Sequence, residues 1–195
     1  VPLCPGSTSQ FRGLAINRWA GAAISMGEEG CPAGLTCTVG GVLIIGNHIG
    51  TDVTGTIALG NGGASGRPAI VFGESSINNI VGDQVLVDGG PQTPLGLTRN
   101  VISGNGGDAI RIDSARPGSV APSNRIRNNY IGLGADGVTA LPNGGRGITL
   151  GANTNAISVH ENLISSNLGD GLAVLDGPGG SYSFDGNGIG IGIGG

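Results

Sequence analysis

NVISGNGGDAIRI, residues Asn100–Ile112, returns without a gap as NLISSNLGDGLAV at Asn162–Val174. Asn, Ile, Ser, Asn, Gly and Asp recur in place, and the apolar positions keep their spacing. A longer phrase repeats as well: IIGNHIGTDVTGTIALGNGG at Ile44–Gly63 matches IRNNYIGLGADGVTALPNGG at Ile126–Gly145. Long and short phrases alternate along the chain. The apolar runs that follow each Gly cluster start at Ala69, Ala109, Gly147 and Gly171, at intervals of 24 to 40 residues. Self-similarity on that scale is the mark of stacked repeats, each too small to bury its own apolar face.

The local pattern predicts strands. No window holds a sustained 3.6-residue apolar period, and Gly, Asn and β-branched residues disfavour helix. The apolar runs are only three to five residues long and turn residues are dense. A core motif, apolar-x-x-Asn-x-apolar-Gly/Ser, fits Ile44–Gly50, Leu97–Ser103, Ile126–Gly132 and Val159–Ser165. It places Asn47, Asn100, Asn129 and Asn162 at equivalent points. Asn tolerates left-handed backbone, so it is expected to form the bend between two strands. In a stack these side chains fall above one another and share amide hydrogen bonds, a structural ladder that satisfies buried polar groups. The flanking Ile and Val are expected to point inward as aliphatic columns.

Glycine reaches 42 of 195 residues, several times its ordinary share of about 7%, without the triplet period of collagen. Aromatic residues are scarce, with Phe 3, Tyr 2 and Trp 1, so the core must be thin and aliphatic. Net charge is −4 and the nine basic residues are all Arg, which gives no basic footprint for nucleic acid. No apolar run is long enough for a membrane span. CPAGLTC, residues 31–37, suits a local Cys31–Cys37 disulfide and an oxidising, extracellular or cell-surface location. Cys4 is left over, and no Cys or His spacing marks a metal centre.

NHIGTDVTGTIALGNGG at Asn47–Gly63 and NVISGNGGD at Asn100–Asp108 resemble the right-handed parallel β-helix repeat proteins of bacteria, in particular a secreted, surface-associated subgroup. The likeness spans roughly Leu14–Val174. It implies an all-β fold, a right-handed parallel β-helix of about five to seven coils, with loops at 28–41, 51–66, 83–96 and 113–122. On this reading 1–195 is one domain: an irregular segment over 1–10, repeat coils over 11–174, and a Gly-rich terminal coil or assembly strand over 175–195. The scaffold alone does not set function, since lyases, epimerases, adhesins and inert stalks share it.

Candidate chemistry is sparse. Asp108, Arg111, Asp113, Arg116, Arg125 and Arg127 form the densest charged cluster. Related lyases use carboxylates to hold Ca²⁺ and an Arg to remove a proton beside a uronate carboxylate, which makes Arg111, Asp113 and Arg127 the catalytic suspects of a polysaccharide lyase or epimerase. The alternative is a solvated face of screened ion pairs, and it is preferred. His48 and His160 fall near matching points of different repeats, and His160 with Glu161 is a poor acid/base pair because neighbours in a strand face opposite ways. Thr36–Thr38 and Thr54–Thr56 are T-x-T pairs in loops. The expected function is a non-enzymatic extracellular structural module without cofactors, with an extracellular polysaccharide as partner under the lyase reading. GNGIGIGIGG at the C-terminus places Ile189, Ile191 and Ile193 on one face of a strand. That run suggests end-to-end homo-assembly into filaments.

Overall fold

The computed structural model describes residues 9–27, 39–73, 76–82, 99–113, 123–152, 154–175 and 180–190. Apart from one 3₁₀ turn at Gly63–Ser65, its regular elements are all strands. Three parallel sheets share out the chain. Sheet A runs β1 (Ser9–Arg12), β5 (Val42–Ile45), β9 (Ile80–Gly82), β12 (Arg125–Arg127), β15 (Ile157–His160) and β18 (Tyr182–Asp185). Sheet B runs β2 (Ala15–Ile16), β6 (His48–Ile49), β10 (Val101–Ile102), β13 (Tyr130–Ile131), β16 (Leu163–Ile164) and β19 (Gly188–Ile189). Sheet C runs β3 (Ile24–Met26), β7 (Ile70–Phe72), β11 (Ile110–Ile112), β14 (Ile148–Leu150) and β17 (Leu172–Val174). A two-stranded pairing of β4 (Val39–Gly40) with β8 (Ser76–Ile77) sits beside them. The chain visits A, B and C in turn and then begins again, an order compatible with a β-helix.

Register explains why these residues are strands. Ile44, Val81, Ile126 and Val159 fall in one inward column of sheet A, and Ile49, Ile102, Ile131 and Ile164 in one of sheet B. All eight are fully buried. In sheet C, Ile70, Ile110 and Ile148 form one column and Phe72, Ile112 and Leu150 another. A two- or three-residue strand has no stability of its own. Stiff β-branched side chains make it usable, because each packs on the equivalent residue of the next repeat.

The alternation of long and short phrases has a structural cause. Residues 51–60 fold back on themselves through a Thr51–Ala58 bridge, and residues 133–142 do the same through Leu133–Ala140. The turn of the short phrase lies between these two loops. Gly104 N donates to Leu141 O at 3.0 Å, and a Cβ on Gly104 would stand 2.8 Å from the Ala58 methyl. The loops also meet each other, since Ala135 N donates to Gly55 O at 2.9 Å. Two long loops thus close over one short turn, and a long phrase in the middle position would have no room.

The apolar run PAIVF at 68–72 contains β7. INNIVG at 77–82 is divided: Ile77 ends β8, Ile80–Gly82 form β9, and Asn78 between them takes φ 54°. The expected 28–41 loop includes a short strand, β4, at Val39–Gly40. Residues 28–38, 85–87, 83–96 and 114–122 lie outside the described residues, as do Cys4, Cys31, Cys37, Ile191 and Ile193. Among the described residues no helix is long and apolar enough to cross a membrane, a finding that leaves β-barrels untouched.

Candidate functional site

The Asn residues lie where the chain passes from one sheet to the next. Between A and B, Asn47 Nδ2 donates to Asn100 Oδ1 at 3.1 Å, Asn100 to Asn129 at 2.8 Å, Asn129 to Asn162 at 2.9 Å, and Asn162 to Asn187 at 3.0 Å. The backbone N–H of each of Asn47, Asn129 and Asn162 donates to the same Oδ1 as its own side chain. Each side chain also donates to a carbonyl of the repeat before, as Asn129 does to Val81 O at 3.0 Å. The amide is therefore saturated while fully buried, the condition under which a buried polar group costs little.

These Asn residues do not adopt the left-handed backbone expected of them. At four rungs that conformation belongs to the residue before: Gly46 at φ 63°, Asn128 at 53°, Glu161 at 55° and Gly186 at 62°. The bend is made one position early, which frees the Asn to turn its amide inward. The ladder selects Asn for its amide and leaves the strained φ to whichever residue precedes it.

Two further files escaped the motif. Between B and C, Asn61, Asn105, Asn143 and Asn167 are linked by amide bonds of 3.0, 2.9 and 2.8 Å. Between C and A, Asn79 donates to Asn124 at 3.1 Å. The signal for the second file was in the repeats, as the Asn of GNGG, SGNGG and SSNLG. The dense glycines around these Asn mark turns and obscure the repeat of the amide within them.

The charged suspects are separated. Arg111 stands outward on β11, in register with Val71 and Thr149 of sheet C. Arg127 belongs to sheet A and bonds Glu161, with Nη2 2.7 Å and Nε 2.8 Å from Oε2. The expected Arg111–Asp113–Arg127 group is divided between sheets, with Arg111 on sheet C and Arg127 on sheet A. His48 and His160 are likewise on sheets B and A, and His48 Nδ1 lies 3.2 Å from Asp52 O.

A groove of about 410 Å³ does lie on the outer face of sheet C, lined by Arg67, Asp108, Arg111, Asp113 and Arg146 among others. Asp108, two residues before β11, accepts from Arg146 N through Oδ1 and from Thr149 Oγ1 through Oδ2, both at 2.8 Å. Arg146 then reaches forward, its Nε 2.8 Å from Asp170 Oδ2. Asp108 and Asp170 are the repeated Asp of the short phrase, so Arg146 is clasped between two copies of the same residue. Arg111 hydrogen-bonds Asp113 and sits 3.9 Å from Asp108. That hydrogen bond raises the Arg111 guanidinium above its already high ordinary value, outweighing the effect of burial. No cluster of three or more His, Cys, Asp or Glu able to hold a metal ion occurs among the described residues.

No protein-family model, curated protein or solved structure matches this chain.

Proposed function

We propose that the chain is a non-enzymatic structural module of an extracellular or cell-surface protein, built as a right-handed parallel β-helix of the bacterial repeat type. The parallel strand order supports the coil. Right-handedness follows from the strong preference of parallel crossovers for that hand. The observation that carries the function is the commitment of the polar side chains. Buried amides are spent on three ladders, and the candidate Arg residues are each held by a carboxylate on separate sheets. A proton-abstracting Arg must first lose its own proton, and the Asp113 contact acts against that for Arg111. What remains is a rigid rod whose repeats lock onto each other, suited to spacing and to resisting proteases. Incubation with polyuronates in the presence of Ca²⁺ should give no unsaturated-product absorbance. A rising signal would overturn this function.

One observation favours a second reading, a polysaccharide lyase or epimerase acting on an anionic polysaccharide: the groove brings Arg67, Arg111 and Arg146 to one face. It predicts product formation that Arg111→Ala abolishes.

A further inference from the structure

The sequence holds four Asn-Gly dipeptides, Asn61–Gly62, Asn105–Gly106, Asn143–Gly144 and Asn187–Gly188, and the Asn of each is a rung of an amide file. The stack calls for both residues. Asn supplies the amide. Gly supplies the close approach: a Cβ on Gly62 would run into Arg67 O, one on Gly106 into Gly63 O, and one on Gly144 into Gly106 O. The same pair is chemically weak. Glycine has no side chain to shield its nitrogen and leaves the backbone free to bend. In an open chain that nitrogen attacks the side-chain amide carbon of the preceding Asn. A nitrogen–carbon bond forms, the bond from that carbon to Nδ2 breaks, and ammonia leaves with the proton of the Gly N–H. Water then opens the cyclic imide to aspartate or isoaspartate.

In the folded stack both reacting groups are engaged. The repeat before holds the nucleophile: Gly106 N donates to Asn61 O and Gly144 N to Asn105 O, both at 2.7 Å, and Gly62 N donates to Trp19 O and Gly21 O, both at 2.9 Å. The leaving group is held as well. Asn61 Nδ2 donates to Ile16 O at 2.9 Å, Asn105 Nδ2 to Ile49 O at 3.1 Å and Asn143 Nδ2 to Ile102 O at 3.0 Å, each in addition to its bond to the next rung. Asn61, Asn105 and Asn143 are 0%, 2% and 0% exposed, so bulk water reaches neither the amide nor an imide formed from it.

We propose that Asn61, Asn105 and Asn143 are latent deamidation sites, closed by the folded stack and opened by unfolding, which makes prolonged unfolding of this chain irreversible. The product does not fit the rung. Aspartate replaces the Nδ2 donor with an oxygen that faces Oδ1 of the next rung, and it buries a charge among amides. Isoaspartate passes the main chain through the side-chain carbon and so displaces the groups that follow. Chemical modification of the unfolded chain turns a reversible equilibrium into a one-way loss. This behaviour needs only the amide files, whichever of the two functions above the chain performs.

Two samples, one in mildly alkaline buffer and one in the same buffer with urea above the unfolding midpoint, are incubated side by side and mapped by peptide mass spectrometry. In urea, aspartate and isoaspartate should accumulate first at the Asn-Gly pairs. In buffer, Asn61, Asn105 and Asn143 should react orders of magnitude more slowly, because reaction waits for the stack to open. Equal rates in the two samples would overturn the proposal, as would a urea sample in which these three react no faster than Asn outside Asn-Gly pairs. Removing urea after increasing times tests irreversibility. Molecules that refold should carry intact Asn at all three sites, and the share that refolds should fall as deamidation rises. Deamidated molecules that refold as readily as intact ones would overturn it. Asn105→Asp installs the product directly and should lower the urea midpoint; an unchanged midpoint would count against the proposal in the same way.

Discussion

Asp52 and Asp136 hold the same turn from different positions. In the aligned long phrases Asp52 corresponds to Gly134, and Asp136 to Thr54. Yet Asp52 Oδ1 accepts from Thr56 N and Ile57 N, at 2.9 and 3.0 Å, and Asp136 Oδ1 accepts from the equivalent Val138 N and Thr139 N, both at 2.9 Å. The second oxygen of each takes a Thr hydroxyl, from Thr54 and Thr139. The loop requires a carboxylate at a point in space, and two sequence positions can deliver it.

These bonds hold both carboxyls below the ordinary carboxylate range, the Thr hydroxyl being the largest cause in each. A depressed folded value means that the folded state binds fewer protons than the unfolded chain in the acid window. The stabilisation is therefore present above an ordinary Asp value of about 3.9 and is lost as pH falls toward the folded values. Melting temperature measured from pH 5 to pH 2 should fall. In Asp52→Asn and Asp136→Asn it should fall less, since an amide oxygen still accepts and no longer titrates.

Removing one rung of the first ladder should be costly. Asn129→Leu takes away the acceptor of one of the two hydrogen bonds made by the buried Asn100 Nδ2, and removes a donor from Val81 O and from Asn162 Oδ1. Each buried unpaired group costs about 1–3 kcal/mol, so the loss should be about 2–5 kcal/mol by urea denaturation. A change within 0.5 kcal/mol of zero, by the same scale, would show that the amides carry little.

The inward columns and the first Asn file were legible in the sequence because both depend on a strict repeat. Asn47, Asn100, Asn129 and Asn162 recur with the same apolar flanks, and stacking then follows from register alone. Asn187 obeys the same motif, over Phe184–Gly190, but lies in the Gly-rich segment beyond the clear repeats, where the motif stands alone. The site was less legible. Arg111 and Arg127 are close in sequence, but the chain changes sheet between them, and charge spacing holds no record of that crossing. Arg146 carries no local signal, because its partners Asp108 and Asp170 lie one repeat away on either side.

Gly132 tests the closeness of stacking. It takes φ 83°, and a Cβ there would meet the Ser165 carbonyl. Gly13 has a similar φ, 67°, with nothing within 4 Å. Gly→Ala should cost about 1–2 kcal/mol at either site from backbone strain and more at Gly132, where the chain must also move. Paired urea midpoints measure the difference.

Arg111→Ala should change stability by about 0–1 kcal/mol, since its partner Asp113 and the guanidinium are both about one-third exposed. A larger loss in thermal unfolding would mean that the groove on sheet C is more than a solvated face.

The central claim is that buried Asn amides, stacked in files, hold the repeats together. Hydrogen exchange of the Asn side-chain amides, resolved by NMR, tests it most directly. Asn47, Asn100, Asn129 and Asn162, with Asn61, Asn105 and Asn143, should exchange orders of magnitude more slowly than a free amide, and together rather than singly. Exchange of these side chains at the rate of an exposed Asn would contradict the account.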